Sequence, residues 1–244
     1  MRIREAKHSE LGNLAFIGAR AFYEDDIYAH FYPQRRLYPE AFYEGILNSL
    51  LDIFTQPGAK VFVAELEDSD FLPPSKSTIA GQKIIGYVTV IFHGDPDQKV
   101  QFDAGNEEKV FYRRLLELEK QRVPNKAINQ AAIDDFVAKQ QLVTGPKDGL
   151  LEAVSLAVLP EFQSMGFGLQ LLEFLKAMIS KLGVDLVADA SKRGFPIYVK
   201  FGFKHIGDIK LTSKTIQADD LSLVHLPQLT VPVVCLSHTY KAAF

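Results

Sequence analysis

Leu151-Glu152-Ala153-Val154-Ser155-Leu156-Ala157-Val158 runs through Pro160 into Gln163-Ser164-Met165-Gly166-Phe167-Gly168 and then into a segment of helical periodicity. Leu171, Leu172, Leu175, Met178, Ile179 and Leu182 recur at three- and four-residue spacing, with Glu173, Lys176 and Lys181 between them, which predicts an amphipathic helix ended by Gly183. The stretch before it is apolar on both faces apart from Glu152 and Ser155, the pattern of a central strand covered on both sides. A strand that opens through a glycine turn onto a helix N-terminus makes an anion site. The first amide groups of the helix have no intrahelical acceptor, and the dipole adds positive potential suited to a pyrophosphate.

Two nucleotide motifs are excluded. A dinucleotide fingerprint needs a third glycine or alanine where Leu171 stands, and no Gly-Lys-Ser/Thr follows as a P-loop requires. Gly-x-Gly alone also fits a simple tight turn. The surroundings decide. Gln163-x-x-Gly166-x-Gly168 after a strand resembles the Q/R-x-x-G-x-G/A acetyl-CoA loop of the GNAT N-acetyltransferase superfamily. Ala188 to Phe203, with Ile197-Tyr198-Val199-Lys200-Phe201-Gly202-Phe203, resembles that family's strand, short helix and closing strand. The two motifs stand in the family's order and are separated by one helix.

The resemblance covers 151–209 in detail and implies an α/β fold: a GNAT-like mixed, mostly antiparallel central sheet flanked by helices. In outline, 2–6, 60–66 and 83–93 are further strands, and 10–22 and 39–54 are helices, with Ser9 as N-cap of the first. Residues 67–82, rich in Asp, Pro and Ser, read as a connection between strands. The segment 95–149 exceeds a minimal fold and reads as a helical insertion before the cofactor-binding strand. Its two helices carry Val110, Phe111, Leu115 and Leu118 along one, and Ile133, Phe136 and Val137 along the other, with punctuation at Pro124 and at Gly145-Pro146. It is either part of an acceptor pocket or a packing or dimer element.

A chain of 244 residues, 47% of them hydrophobic, fits a single domain with one sizeable core. A formal net charge of −3 and a pI near 6.1 argue against nucleic acid as the main partner. Cys235 is the only cysteine, so no disulfide forms within the chain, and it lies in an apolar stretch unsuited to a nucleophile. There is no long apolar run or signal segment, which predicts a cytoplasmic protein without a membrane partner. His-Glu-x-x-His, paired cysteines and Gly-x-Ser-x-Gly are all absent, so no metal is expected.

The resemblance implies acetyl-CoA as acyl donor and transfer to a primary amine, preferably of a small molecule, within a ternary complex. A coenzyme A-binding module without catalysis and a protein or peptide N-acetyltransferase are the alternatives. It places Leu156, Ala157 and Val158 along the pantetheine arm and Gln163, Ser164, Met165, Gly166, Phe167 and Gly168 at the pyrophosphate. Ser191 would meet the pantetheine amide and Lys200 the nucleotide phosphate. Met165 departs from the basic residue many relatives carry, which predicts weaker and less salt-sensitive coenzyme binding.

Glu152, fourteen residues before Gly166, matches the base glutamate of the histone acetyltransferase branch. Partial desolvation is expected to raise its pKa; the alternative is a surface glutamate or half of a structural ion pair. His93 is the second candidate base. Tyr198 matches the tyrosine that protonates the departing thiolate, or else serves as a core aromatic. Between the first two helices, Tyr23-Glu24-Asp25-Asp26-Ile27-Tyr28 is either a cation-attracting acceptor loop, with Tyr23, Asp25, Asp26 and Tyr28 as its candidates, or an acidic cap on the next helix; Arg35-Arg36 would neutralise it.

Overall fold

β-Branched and aromatic residues on 59–65 and 84–92 build the centre of a sheet, and every residue of the second stretch except Ile91 is buried. The computed structural model describes residues 1–68, 70, 83–104, 107–119 and 125–239. In chain order its strands are β1 (Arg2–Glu5), β2 (Ala59–Glu65), β3 (Ile84–Phe92), β4 (Leu151–Val158), β5 (Leu186–Asp189), β6 (Lys204–Leu211), β7 (Lys214–Gln217), β8 (Leu223–Leu226) and β9 (Leu229–Leu236). Its helices are α1 (Leu11–Phe22), α2 (Asp26–Phe31), α3 (Pro39–Thr55), α4 (Pro96–Phe102), α5 (Glu107–Glu119), α6 (Gln130–Thr144), α7 (Phe167–Leu182) and α8 (Phe195–Phe201). Beyond residues 67, 68 and 70, the connection expected over 67–82 lies outside the described residues, as does Pro124.

Seven strands form one mixed sheet in the order β1-β2-β3-β4-β5-β9-β6, and β7 and β8 pair separately. Only β4 and β5 run parallel. Helices α1 and α3 pack on each other and over β2–β4. α7 covers the opposite face, where the Phe174 ring meets Phe62 of β2 edge-on at 4.8 Å. α1 approaches the sheet closely at Gly18, where an added Cβ would stand 2.4 Å from the Tyr87 hydroxyl.

Two irregularities position the site. Thr89 faces Ser155 and Val90 faces Ala153, so Val154 has no opposite residue and forms a β-bulge. Because Glu152 pairs with Ile91 and Ser155 with Thr89, the bulge brings Glu152 and Ser155 onto one face, that of α1. The second irregularity is a split. The β4–β5 pairing ends at Ala153 and Ala188, while β4 continues to Val158. Past that point the β5-facing edge of β4 is open, and Val154 is 43% exposed in the middle of the sheet.

The insertion departs from expectation. It holds three helices among the described residues, the unforeseen α4 being capped by a reciprocal Asp95–Gln98 box. α5 turns the opposite face inward: Val110, Phe111 and Leu115 are exposed, whereas Lys109 is buried, its Nζ on Asp103 Oδ1 at 2.7 Å and on the Ala59 carbonyl at 2.6 Å. Arg113 Nε donates to the Thr55 carbonyl at 2.7 Å, closing the C-terminus of α3. Polar side chains that satisfy buried carbonyls thus set the orientation of α5. In α6, Phe136 faces inward as expected but Val137 is exposed. Phe136 joins Ile209, Leu211, Val231 and Val233 in a second core, with the Phe31 ring edge-on at 5.2 Å. Ser9 caps nothing, because a short 3₁₀ turn over 8–10 precedes α1 and Glu10 takes the cap position.

Candidate active site

The loop 163–168 turns through two left-handed residues, Ser164 at φ 63° and Gly166 at φ 87°. A left-handed serine is strained by roughly 1 kcal/mol, and the second reversal suits glycine. Together they bring the chain onto α7, whose first closed bond runs from Gln170 N–H to the Gly166 carbonyl at 3.1 Å. The earlier amides of the helix are left without an intrahelical acceptor. Nothing lies within 4 Å of a Cβ built on Gly166, and at Gly168 one would meet only Leu156 Cδ2 at 3.9 Å. The loop is therefore open at both glycines. Phe167 is buried and seats the helix beside Phe162. Gln163 Nε2 donates to the Val158 carbonyl at 2.9 Å, tying the loop to the strand end. Met165 packs against the main core, which accounts for an apolar residue at that position.

From the loop, the open edge of β4 leads along Val158, Ala157 and Leu156 to the split beside β5. From the end of β5 the chain turns through Ser191 into α8. The Ser191 hydroxyl accepts from Gly194 N–H at 3.2 Å and so holds the turn into α8, leaving its own proton to donate. Tyr198 is half-buried, edge-on to Phe203 at 4.9 Å. Burial, and then the Asp189 charge, push its phenol up to about 12, so it holds its proton at neutral pH. Lys200 is exposed on the same helix.

Glu152 is buried, and both its carboxylate oxygens are occupied. Oε2 lies 2.7 Å from His93 Nε2, and Oε1 accepts from Lys147 Nζ at 2.6 Å and Gln140 Nε2 at 3.1 Å. The two candidate bases are therefore partners of one another. Burial pushes the Glu152 carboxyl up, but the bonds and charges of His93 and Lys147 outweigh it and hold the group below its usual range. This reverses the expected direction, because desolvation without its cations was all that the strand pattern revealed.

Three residues in this cluster carried no sequence expectation. Gln140, from α6, donates to Glu152 and also to Asp189 Oδ2, while its own Oε1 accepts from Lys147 Nζ at 2.7 Å. Asp189 ends β5 on the same face as Glu152, since Glu152 pairs with Val187 two residues earlier. Among the described residues its Oδ1 is buried with no hydrogen-bond partner. Burial, reinforced by the Glu152 charge, pushes the Asp189 carboxyl up to about 7, against the Gln140 bond and the Lys147 charge. The available signal was a carboxylate at the end of an apolar strand, in phase with Glu152.

On the acceptor side, Asp25 caps α2, accepting from the amides of Ile27 at 2.9 Å and Tyr28 at 3.3 Å. Its carboxyl is raised, chiefly by burial. Asp26 is exposed, and Arg36 pairs with Glu24 at 3.1 Å. Arg35 instead donates to the Tyr23 carbonyl at 2.7 Å and lies over the Tyr23 ring. Tyr28 stacks on Phe22 at 4.2 Å, within the aromatic packing between α1 and α3. The loop is thus largely a helix cap and aromatic wedge. Among the described residues no group of three or more His, Cys, Asp or Glu side chains is arranged to hold a metal ion. No helix there is long and apolar enough to cross a membrane.

Residues 150–216 match the family described as "Acetyltransferase (GNAT) domain". No curated protein matches the chain by sequence. Among solved structures, a putative arylalkylamine N-acetyltransferase 7 of the yellow fever mosquito superposes with a TM-score of 0.56 at 10% identity, over 97% of this chain and 87% of its own. A histone acetyltransferase HPA2 and related acetyltransferase of Corynebacterium glutamicum gives 0.53 at 14%, covering 99% of this chain and 98% of its own. An N-acetyltransferase of Staphylococcus aureus gives 0.52 at 14%, covering 97% and 100%. At such identities these are likenesses of fold.

Proposed function

We propose, for a chain that carries a GNAT acetyltransferase domain, that it moves the acetyl group of acetyl-CoA to a primary amine, preferably of a small molecule, by direct transfer in a ternary complex. The observation that carries this reading is the split between β4 and β5, lined by the open edge of β4 and set between the loop 163–168 and Tyr198. Coenzyme A supplies the activated thioester. The amides of 164–168 bind its pyrophosphate, the edge of Leu156–Val158 orients its pantetheine arm, and Ser191 donates to the arm's amide. Lys200 meets the nucleotide phosphate at the surface.

Tyr198, which holds its proton at neutral pH, gives that proton to the departing thiolate. Glu152, held by His93, Lys147 and Gln140, keeps a negative charge beside the acceptor position and steadies the cluster. Tyr23, Asp25, Asp26 and Tyr28 border the acceptor's approach. The fold likeness to a putative arylalkylamine N-acetyltransferase supports a small amine as acceptor.

The test is a screen of primary amines and peptides with acetyl-CoA, read by thiol release. Turnover with small amines supports the reading. Turnover with peptides alone moves the acceptor class. Coenzyme A binding without turnover on any acceptor reduces the chain to a binding module.

A further inference from the structure

We propose that Asp189, rather than Glu152, is the carboxylate that takes the acceptor's proton, with Gln140 of the inserted helix α6 fixing its second oxygen. This rests on the acetyl-transfer reading above and names its base.

The geometry separates the two carboxylates by role. Glu152 has both oxygens engaged: one meets His93, the other meets Lys147 and Gln140. Asp189 is held at Oδ2 by Gln140, and its Oδ1 is buried with no partner among the described residues. A buried carboxylate oxygen left unpaired costs free energy unless something binds there. It stands at the end of β5, where β4 and β5 part and the acceptor nitrogen must reach the thioester. Charged groups face it from β4 (Glu152), from the loop before β4 (Lys147) and, beyond Glu152, from the end of β3 (His93). Tyr198 of α8 is close enough to feel its charge. The single Gln140 amide group donates to both carboxylates. Burial, and then the charge of Glu152, raise the basicity of Asp189 toward neutrality.

The proton balance closes within the site. The amine lone pair forms the N–C bond at the acetyl carbonyl, and the C–S bond breaks with its electrons on sulfur. Asp189 takes the proton that nitrogen loses, and Tyr198 gives its own to sulfur. Asp189 then returns a proton to the Tyr198 phenolate. Amine and thioester become amide and thiol, with no proton gained or lost.

The test compares kcat/KM from pH 5 to 9 for the wild type, Asp189→Asn and Glu152→Gln on one amine acceptor, so that the acceptor's own ionisation is common to all three. The wild type should show a rising step near pH 7. Asp189→Asn should lose that step and about 10² in turnover at pH 7.5, with coenzyme A affinity unchanged. Glu152→Gln should keep the step but move it to lower pH. Carbon-13 NMR of the carboxyl groups gives a readout that needs neither turnover nor a variant: one aspartate of the wild type should titrate near 7. An active wild type whose step survives in Asp189→Asn, or whose aspartates all titrate below 5, overturns this inference alone. A wild type that binds coenzyme A and acetylates nothing overturns the transfer reading, and this inference with it.

Discussion

Tyr198 packs on Phe203 and is proposed to donate a proton, and one substitution separates the two roles. Tyr198→Phe keeps the ring and removes the hydroxyl. Turnover should fall by roughly 10 to 10² with little change in thermal stability, and an acyl donor with a more acidic thiol should recover part of the loss. Equal losses with good and poor leaving groups would assign Tyr198 to positioning. Asp189 predicts a pH-dependent stability. Its folded pKa, about 7, lies above the unfolded value near 3.8, so between them the unfolded chain binds fewer protons and stability falls as pH rises. Asp189→Asn should therefore be more stable than the wild type by about 4 kcal/mol at pH 8, a gain nearly gone by pH 4 in paired urea titrations. Glu152 has the opposite sign. Its folded pKa is lowered, so its contribution is present above the unfolded value and is lost as pH falls through the folded one.

The loop and helix from 163 to 182 were legible because their signals are local: a glycine turn, one apolar stripe and a glycine stop, realised as α7 ending at Gly183 with φ 70°. The strand, short helix and closing strand read over Ala188 to Phe203 from the family resemblance take shape as β5, α8 and β6, the last beginning at Lys204. The orientation of α5 was not legible, because the burial of Lys109 depends on Asp103 and on the Ala59 carbonyl, 50 residues away in sequence. Gly168 sits in ordinary helical space with only Leu156 Cδ2 near its Cβ position, so Gly168→Val should fold normally while its methyls fill the cradle. Coenzyme A affinity measured by calorimetry should drop at least tenfold; unchanged affinity would move the pyrophosphate elsewhere. Met165→Arg, on the same loop, should tighten binding and make it more sensitive to salt.

At the scale of the molecule, the site lies where two cores meet. The main one is built on β1–β5 under α1, α3 and α7, and the smaller on β6 and β9 under α2 and α6. Glu152 was visible in the sequence as a lone acid in an apolar strand. Its setting was not, because Gln140 and Asp189 meet across 49 residues and only the closing of α6 over the C-terminal strands joins them. α6 thus completes the polar cluster from a segment outside the minimal fold. Phe136→Ala, which empties its anchor in the smaller core, should cost about 3 kcal/mol and lower turnover more than coenzyme affinity, read by denaturant titration beside kinetics.

The claim of direct transfer needs both substrates bound together, with no acetylated residue between them. Initial velocities of thiol release, with acetyl-CoA and an amine acceptor each varied at fixed levels of the other, test it in one data set. Intersecting double-reciprocal lines, with no burst of thiol before acceptor is added, are the predicted result. Parallel lines with such a burst would mean an acetyl-enzyme and would contradict the account.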